Sequence, residues 1–144
     1  MRTVLVAGTF DGLHPGHINF FEQARSFGDR LVVIVSLDET VRNIKKRNPV
    51  HTDIQRCETI KKLHIVDEVH LGHANDKYHL IEKINPDTIA LGYDQTVFIE
   101  KLAEELNKRD CKAVIVRTKP YKPSKYKSSK HNYQDHPDLP QTHC

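Results

Sequence analysis

The stretch from Val4 to His17 limits what this chain can fold into more than any other part of it. Val4-Leu5-Val6-Ala7 is a short apolar run ending at Gly8, and helical spacing begins near Pro15 and Gly16. Between them lies Gly8-Thr9-Phe10-Asp11-Gly12-Leu13-His14-Pro15-Gly16-His17. A buried strand therefore passes into a helix through a tight, glycine-bearing turn. The helix is predicted from Gly16 to Phe27, with Ile18, Phe21, Ala24 and Arg25 recurring at helical spacing and Gly28 as its C′ residue. Leu31-Val32-Val33-Ile34-Val35 follows as a second continuous β-branched run of the kind buried in a parallel sheet.

The same alternation continues. Val69-His70-Leu71, Thr88-Ile89-Ala90-Leu91 and Ala113-Val114-Ile115-Val116 read as later strands. Asp53 is the expected N-cap of a helix to Leu63, and Asp76 that of one to Ile84. Asp94 or Thr96 should begin another to Lys108, where Phe98, Leu102 and Leu106 recur every fourth residue. Strand–helix–strand units imply right-handed crossovers and helices on both faces of an open sheet. The expectation is an α/β chain: a single Rossmann-like, doubly wound domain over residues 1–118 with a five-stranded parallel sheet. An irregular basic C-terminal tail follows, with residues 119–130 as a loop closing on substrate and 131–144 without ordered structure.

Charge sharpens that division. The chain of 144 residues has a formal net charge of +3, but residues 1–118 carry equal numbers of basic and acidic side chains. The excess lies beyond them, where Lys119, Lys122, Lys125, Lys127 and Lys130 face only Asp135 and Asp138. A neutral body argues against nucleic acid as the partner. Cys57, Cys111 and Cys144 are odd in number and include no CxxC pair, so neither a disulfide framework nor a zinc knuckle is supported. No apolar run reaches the ~20 residues of a membrane span, and no signal-like segment opens the chain. A soluble, cytoplasmic protein is the expectation.

Open α/β sheets bind ligands beyond the carboxyl ends of their strands, which directs attention to the first turn. Gly8 and Gly12 would let the backbone turn tightly and approach an anion, and the helix beginning at Pro15 would offer free N–H groups to phosphate. His14 and His17, three residues apart, can aim both imidazoles at one point. Metal ligation by the pair is disfavoured, because no HExxH arrangement or third ligand accompanies them. Stabilising charge on a phosphoryl group suits them better. Neither a Walker A loop nor a GxGxxG turn is present.

Gly8-Thr9-Phe10-Asp11 with His14-Pro15-Gly16-His17 resembles the HxGH nucleotidyltransferase superfamily, in its cytidylyltransferase-like branch. Ser36-Leu37-Asp38-Glu39-Thr40, Arg56, Val66-Asp67-Glu68-Val69, Pro86-Asp87, Gly92-Tyr93-Asp94-Gln95, Arg117 and Ser128-Ser129 extend the likeness over roughly residues 1–130. The resemblance implies transfer of a nucleoside monophosphate from a triphosphate to a phosphorylated acceptor, with direct in-line attack and release of pyrophosphate. It implies His14 and His17 as catalytic residues. Thr9, Phe10, His14, Pro15, Gly16, His17, Gly92, Asp94, Arg117, Tyr121, Ser128 and Ser129 would bind the nucleotide, and Asp11, Lys45, Lys46 and Arg56 the acceptor. Mg2+ or another divalent metal would ride mainly on the nucleotide phosphates, with no dedicated protein site. A homodimer is the usual assembly of such proteins.

Substrate choice rests on two departures. Glycerol-3-phosphate cytidylyltransferases usually read like Gly-Asp-Asp-Trp where this chain has Gly92-Tyr93-Asp94-Gln95, and their last strand leads into a shorter loop. Here a Lys- and Tyr-rich stretch separates Arg117 from Ser128, a combination that resembles the archaeal FAD synthases and implies ATP and FMN as substrates. Tyr121 or Tyr126 could stack on a flat ring. CTP with glycerol 3-phosphate or another small phosphate is the alternative, and a weakly active nucleotide-binding module is a reading of another class. The end of the chain departs from the family: His131-Asn132-Tyr133-Gln134-Asp135-His136-Pro137 shows no amphipathic face where relatives place a final helix.

Overall fold

The structure, a computed structural model, describes residues 2–72, 78–92 and 99–120. Its elements are β1 (Thr3–Gly8), α1 (Pro15–Arg25), β2 (Arg30–Val35), α2 (Asp38–Lys45), α3 (Asp53–Lys61), β3 (Glu68–Leu71), α4 (His79–Ile84), β4 (Thr88–Leu91), α5 (Ile99–Lys108) and β5 (Val114–Arg117). The strands form one five-stranded sheet in the order β3-β2-β1-β4-β5, and every pairing is parallel. The chain winds outward from β1 in one direction and from β4 in the other. Their carboxyl ends thus flank the topological switch point, where ligands bind in sheets of this kind.

The continuous apolar runs supply both faces because side chains alternate across a strand. Val4, Val6, Leu31, Val33 and Val35 enter a core completed by Phe20, Phe21 and Ala24 of α1 and by Cys57 and Ile60 of α3. Leu5, Val32, Ile34, Ile89 and Leu91 face the opposite core with Ile81 of α4 and with Leu102 and Leu106 of α5. Among the described residues no helix is long and apolar enough to cross a membrane.

The amino edge of the sheet is stapled by one repeated device. Asp87 N donates to Thr3 O while Thr3 N donates to the Asp87 carboxylate, at 2.9 and 2.8 Å. Asp67 does the same with Leu31, and Asp29 with Arg2. Each carboxylate adds a rung to the ladder where the partner strand has not yet begun. This is the physical work of Val66-Asp67 and Pro86-Asp87, two of the segments that carry the family resemblance.

Several boundaries differ from expectation. Helix α1 ends on Ser26 in the right-handed region (φ −67°), so Gly28 is not its C′ residue. Glycine is needed at 28 because a Cβ there would stand 2.7 Å from both the Arg2 carbonyl oxygen and a Val4 methyl. Thr52, not Asp53, caps α3: its hydroxyl accepts from Gln55 N (3.1 Å), and the Gln55 side chain accepts from Thr52 N (2.9 Å). Asp53 instead accepts from Asp38 N at the start of α2 (3.0 Å). The short helix α2 buries Val41, which is 2% exposed. It ends at Lys46 in the left-handed region (φ 60°). Asp76, Asp94, Thr96 and Phe98, expected at helix starts, lie outside the described residues, as do residues 121–144.

Candidate active site

The turn between β1 and α1 lies at the carboxyl edge beside the switch point. Its conformational demands fall on Phe10 (φ 51°) and Gly12 (φ 87°), whereas Gly8 simply ends the strand. A left-handed conformation costs a bulky residue about 1–2 kcal/mol. Burial of the Phe10 ring offsets it: Phe10 is 1% exposed and packs on Phe21 at 5.1 Å, on His17 at 5.5 Å edge-on and on Phe20 at 6.3 Å. The ring thus anchors the turn to α1 and to the second histidine.

Both imidazoles serve as helix caps. His14, in an extended conformation (φ −142°, ψ 173°), is the N-cap of α1, and its Nδ1 accepts from Gly16 N at 3.0 Å. Nδ1 of His17 accepts from His14 N at 3.3 Å. The rings stack with centroids 3.9 Å apart, and both Nε2 atoms are buried. An Nδ1 that accepts a backbone N–H carries no proton of its own, so each neutral ring must hold its proton on Nε2. The hydrogen bonds assign the tautomer.

The same bonds correct an expectation about the helix terminus. Pro15 has no N–H, Gly16 N is committed to His14 Nδ1, and the N–H groups of His17 and Ile18 donate to His14 O at 2.9 and 3.2 Å. The first turn therefore spends its donors internally and does not present them to an anion. What distinguishes it are two imidazoles: each ring accepts a backbone proton at Nδ1 and carries its own proton on Nε2.

Beneath the turn lies Arg56, 2% exposed. Its guanidinium donates to Thr9 O (2.9 Å), Ser36 O (2.9 Å), His51 O (3.1 Å) and the Asp38 carboxylate (2.7 Å). These partners follow β1, follow β2, precede α3 and open α2. Expected at the acceptor, Arg56 is instead enclosed by the fold and joins four segments of the carboxyl edge. Its spacing in the sequence carries no hint of this, because the partners come from separate segments.

Asp11, also expected at the acceptor, holds the loop before α3. Its carboxylate accepts from Val50 N (2.7 Å) and His51 N (2.9 Å), and lies 3.0 Å from His51 Nδ1. Partial burial works to raise the Asp11 pKa, but the Val50 and His51 hydrogen bonds and the nearby imidazole together hold it below the ordinary carboxylate value. Lys45 is the last residue of α2, and Lys46 follows it as the C-cap. At the exits of β4 and β5, Arg117 donates to Gly92 O (2.7 Å) and Thr118 N to Leu91 O (2.8 Å). Thr9, Phe10, Asp11, His14, Pro15, Gly16, His17 and Arg56 therefore belong to one linked constellation. Gly92 and Arg117 stand on the neighbouring strand ends, and Tyr93, Asp94, Gln95, Tyr121, Ser128 and Ser129 lie outside the described residues.

Sequence reasoning passed over His51, which belongs to no recognisable spacing. It also passed over Thr52, which Thr52-Asp53-Ile54-Gln55 could have revealed as a capping box.

Comparison with known proteins agrees with this geometry. The family model described as cytidylyltransferase-like matches residues 5–131. An FAD synthase of Thermococcus onnurineus is 47% identical over 129 residues, which cover 88% of this chain and 86% of that protein. One from Methanosarcina barkeri is 48% identical over 117 residues, covering 81% and 83%. Among solved structures, the lipopolysaccharide core biosynthesis protein from Thermoplasma volcanium superposes with a TM-score of 0.79 at 37% identity, covering 84% of this chain and 98% of that one. A pantoate-beta-alanine ligase from Francisella tularensis shares the fold, with a TM-score of 0.55 at 17% identity, covering 83% of this chain and 60% of that one. A parallel sheet that opens on a histidine-capped turn, and a family match spanning nearly all the described residues, place the chain in the cytidylyltransferase-like family of nucleotidyltransferases.

Proposed function

We propose that the protein is an FAD synthase, transferring AMP from ATP to FMN. A phosphate oxygen of FMN attacks the α-phosphorus of ATP in line. The bond from that phosphorus to the bridging oxygen of the β-phosphate breaks, and pyrophosphate leaves. The observation that carries the reading is the pair of imidazoles held as neutral Nε2–H donors at the switch point. It is supported by 43–48% identity to FAD synthases over most of the chain.

His14 and His17 donate to phosphate oxygens as negative charge builds in the transition state. Each such donor contributes on the order of 10²–10³ in rate. Because the donors are neutral and fixed by backbone bonds, they are positioned before the substrate arrives. Thr9 and Phe10 line the turn through their backbone, Arg117 and Gly92 approach from the neighbouring strands, and Lys45 and Lys46 supply positive charge toward the acceptor phosphate. Arg56 and Asp11 act here by holding these segments in place.

Among the described residues no group of three or more His, Cys, Asp or Glu side chains is placed to hold a metal ion. Asp11 and Asp38 already engage Val50, His51 and Arg56. On this reading a divalent cation such as Mg2+ would be held mainly by the nucleotide phosphates and would reduce their charge.

Pyrophosphate release measured with paired substrates tests the proposal. Turnover with ATP and FMN, and none with CTP and glycerol 3-phosphate, is expected. The reverse result would overturn it.

A further inference from the structure

Helix α1 carries a polar contact unrelated to its caps or its core stripe. Gln23 reaches the chain just beyond β5: its Oε1 accepts from Lys119 N at 2.8 Å, and its Nε2 donates to Lys119 O at 2.9 Å. A second donation from Nε2, to Asn19 Oδ1 one turn earlier on α1 at 2.7 Å, fixes which way the carboxamide faces. The pattern repeats the geometry of a backbone bridge, in which one group both gives and receives. Among the described residues these bonds join α1 to the segment leaving the last strand.

That segment is otherwise fastened to β4: Thr118 N and its hydroxyl both donate to Leu91 O, and Arg117 donates to Gly92 O. Two units thus meet at Gln23. One is the β1–α1 unit, whose first turn holds His14 and His17. The other is the pair of strand exits that holds Gly92 and Arg117.

We propose that Gln23 is a positioning residue for nucleotide binding: its carboxamide sets the Arg117–Lys119 segment in register with the histidine-capped end of α1. The inference rests on the adenylyl-transfer reading for its kinetic consequence. Its structural half stands apart from that reading. Only a carboxamide can satisfy both Lys119 groups, because a carboxylate can accept from Lys119 N but cannot donate to Lys119 O. Position 23 is a helical site of partial exposure, and alanine favours the helix, so the fold tolerates the change.

Steady-state kinetics and amide hydrogen exchange on wild type, Gln23→Ala and Gln23→Glu test this. Losing two hydrogen bonds that hold the binding conformation should raise KM for ATP by about tenfold. Turnover at saturating ATP and KM for FMN should change by less than about twofold, and the melting temperature should fall by about 3–6 °C. Gln23→Glu should fail to restore KM. The Lys119 amide should be protected in the wild type and exchange rapidly in Gln23→Ala, with no substrate present. Unchanged KM for ATP in Gln23→Ala, or full rescue by Gln23→Glu, would overturn the positioning role, as would a Lys119 amide unprotected in the wild type. A wild type inactive with ATP and FMN but protected at Lys119 would instead refute the adenylyl-transfer reading and leave the Gln23 contact standing.

Discussion

The two edges of the sheet use polar groups in opposite ways. At the amino edge, Asp29, Asp67 and Asp87 repeat one ordinary bargain, each giving its N–H and receiving one from the adjoining strand. At the carboxyl edge the backbone still repeats a bond, from Ser36 N to Gly8 O, Gly72 N to Val35 O and Thr118 N to Leu91 O, but the side chains follow no common pattern. Phe10 sits in a left-handed conformation, Arg56 is buried among three carbonyls and a carboxylate, and two imidazoles replace the usual oxygen caps of a helix. The first edge stabilises the sheet and needs no particular chemistry. The second accepts strain and buried charge to fix donors at the switch point, a use of stability that function explains and folding does not.

The contrast can be broken from the carboxyl edge first. Arg56→Met removes the guanidinium's hydrogen bonds to Thr9, Ser36 and His51 and strands the Asp38 carboxylate. It should cost about 3–5 kcal/mol in denaturant unfolding, and activity should fall with it. His17→Ala empties a buried site beside Phe10 and removes the acceptor of His14 N, so it should cost about 1–2 kcal/mol in unfolding. Turnover should drop on the order of 10²–10³-fold, well beyond what that loss of stability explains. Retention of wild-type turnover would remove the imidazoles from the mechanism. Asp87→Ala should do the reverse, lowering stability by about 1–2 kcal/mol because Thr3 N loses its partner, with kcat unaffected. A fall in kcat out of proportion to stability would show that the two edges are not separable.

The smallest effect concerns Asp11. Its carboxyl pKa is held down in the folded protein, so the folded state binds this proton less readily than the unfolded chain. Its contribution to stability is fully present above the ordinary Asp value of about 3.9 and is lost as pH falls through the lower folded value. Acid titration of Asp11→Asn should therefore show a smaller loss of stability below about pH 4 than the wild type shows. An identical acid limb in the two proteins would contradict the hydrogen-bond account of Asp11.

The sheet was legible in the sequence because its strands are continuous apolar runs, which periodicity and length identify without tertiary knowledge. Helix α2 was much fainter, since its eight residues include only Val41 and Ile44 as apolar ones. The site was legible in its residues and much less so in their duties. His14 and His17 stand out by spacing, yet the spacing suggested that the helix would offer its own N–H groups. The structure shows those groups spent on the histidines, a local competition that residue types alone do not decide. Arg56 and Gln23 illustrate the harder case. Their partners lie 18–47 and 96 residues away for the long-range bonds, so only the folded topology reveals what they hold.

The central claim is that both imidazoles are neutral, with the proton on Nε2 and Nδ1 given over to the backbone. Long-range proton–nitrogen correlation spectra of protein labelled with ¹⁵N-histidine read this directly. At neutral pH the rings of His14 and His17 are expected as the Nε2–H tautomer, with the Nε2–H resonances moving when a non-hydrolysable ATP analogue is added. An Nδ1–H tautomer or an imidazolium at either position would contradict the account.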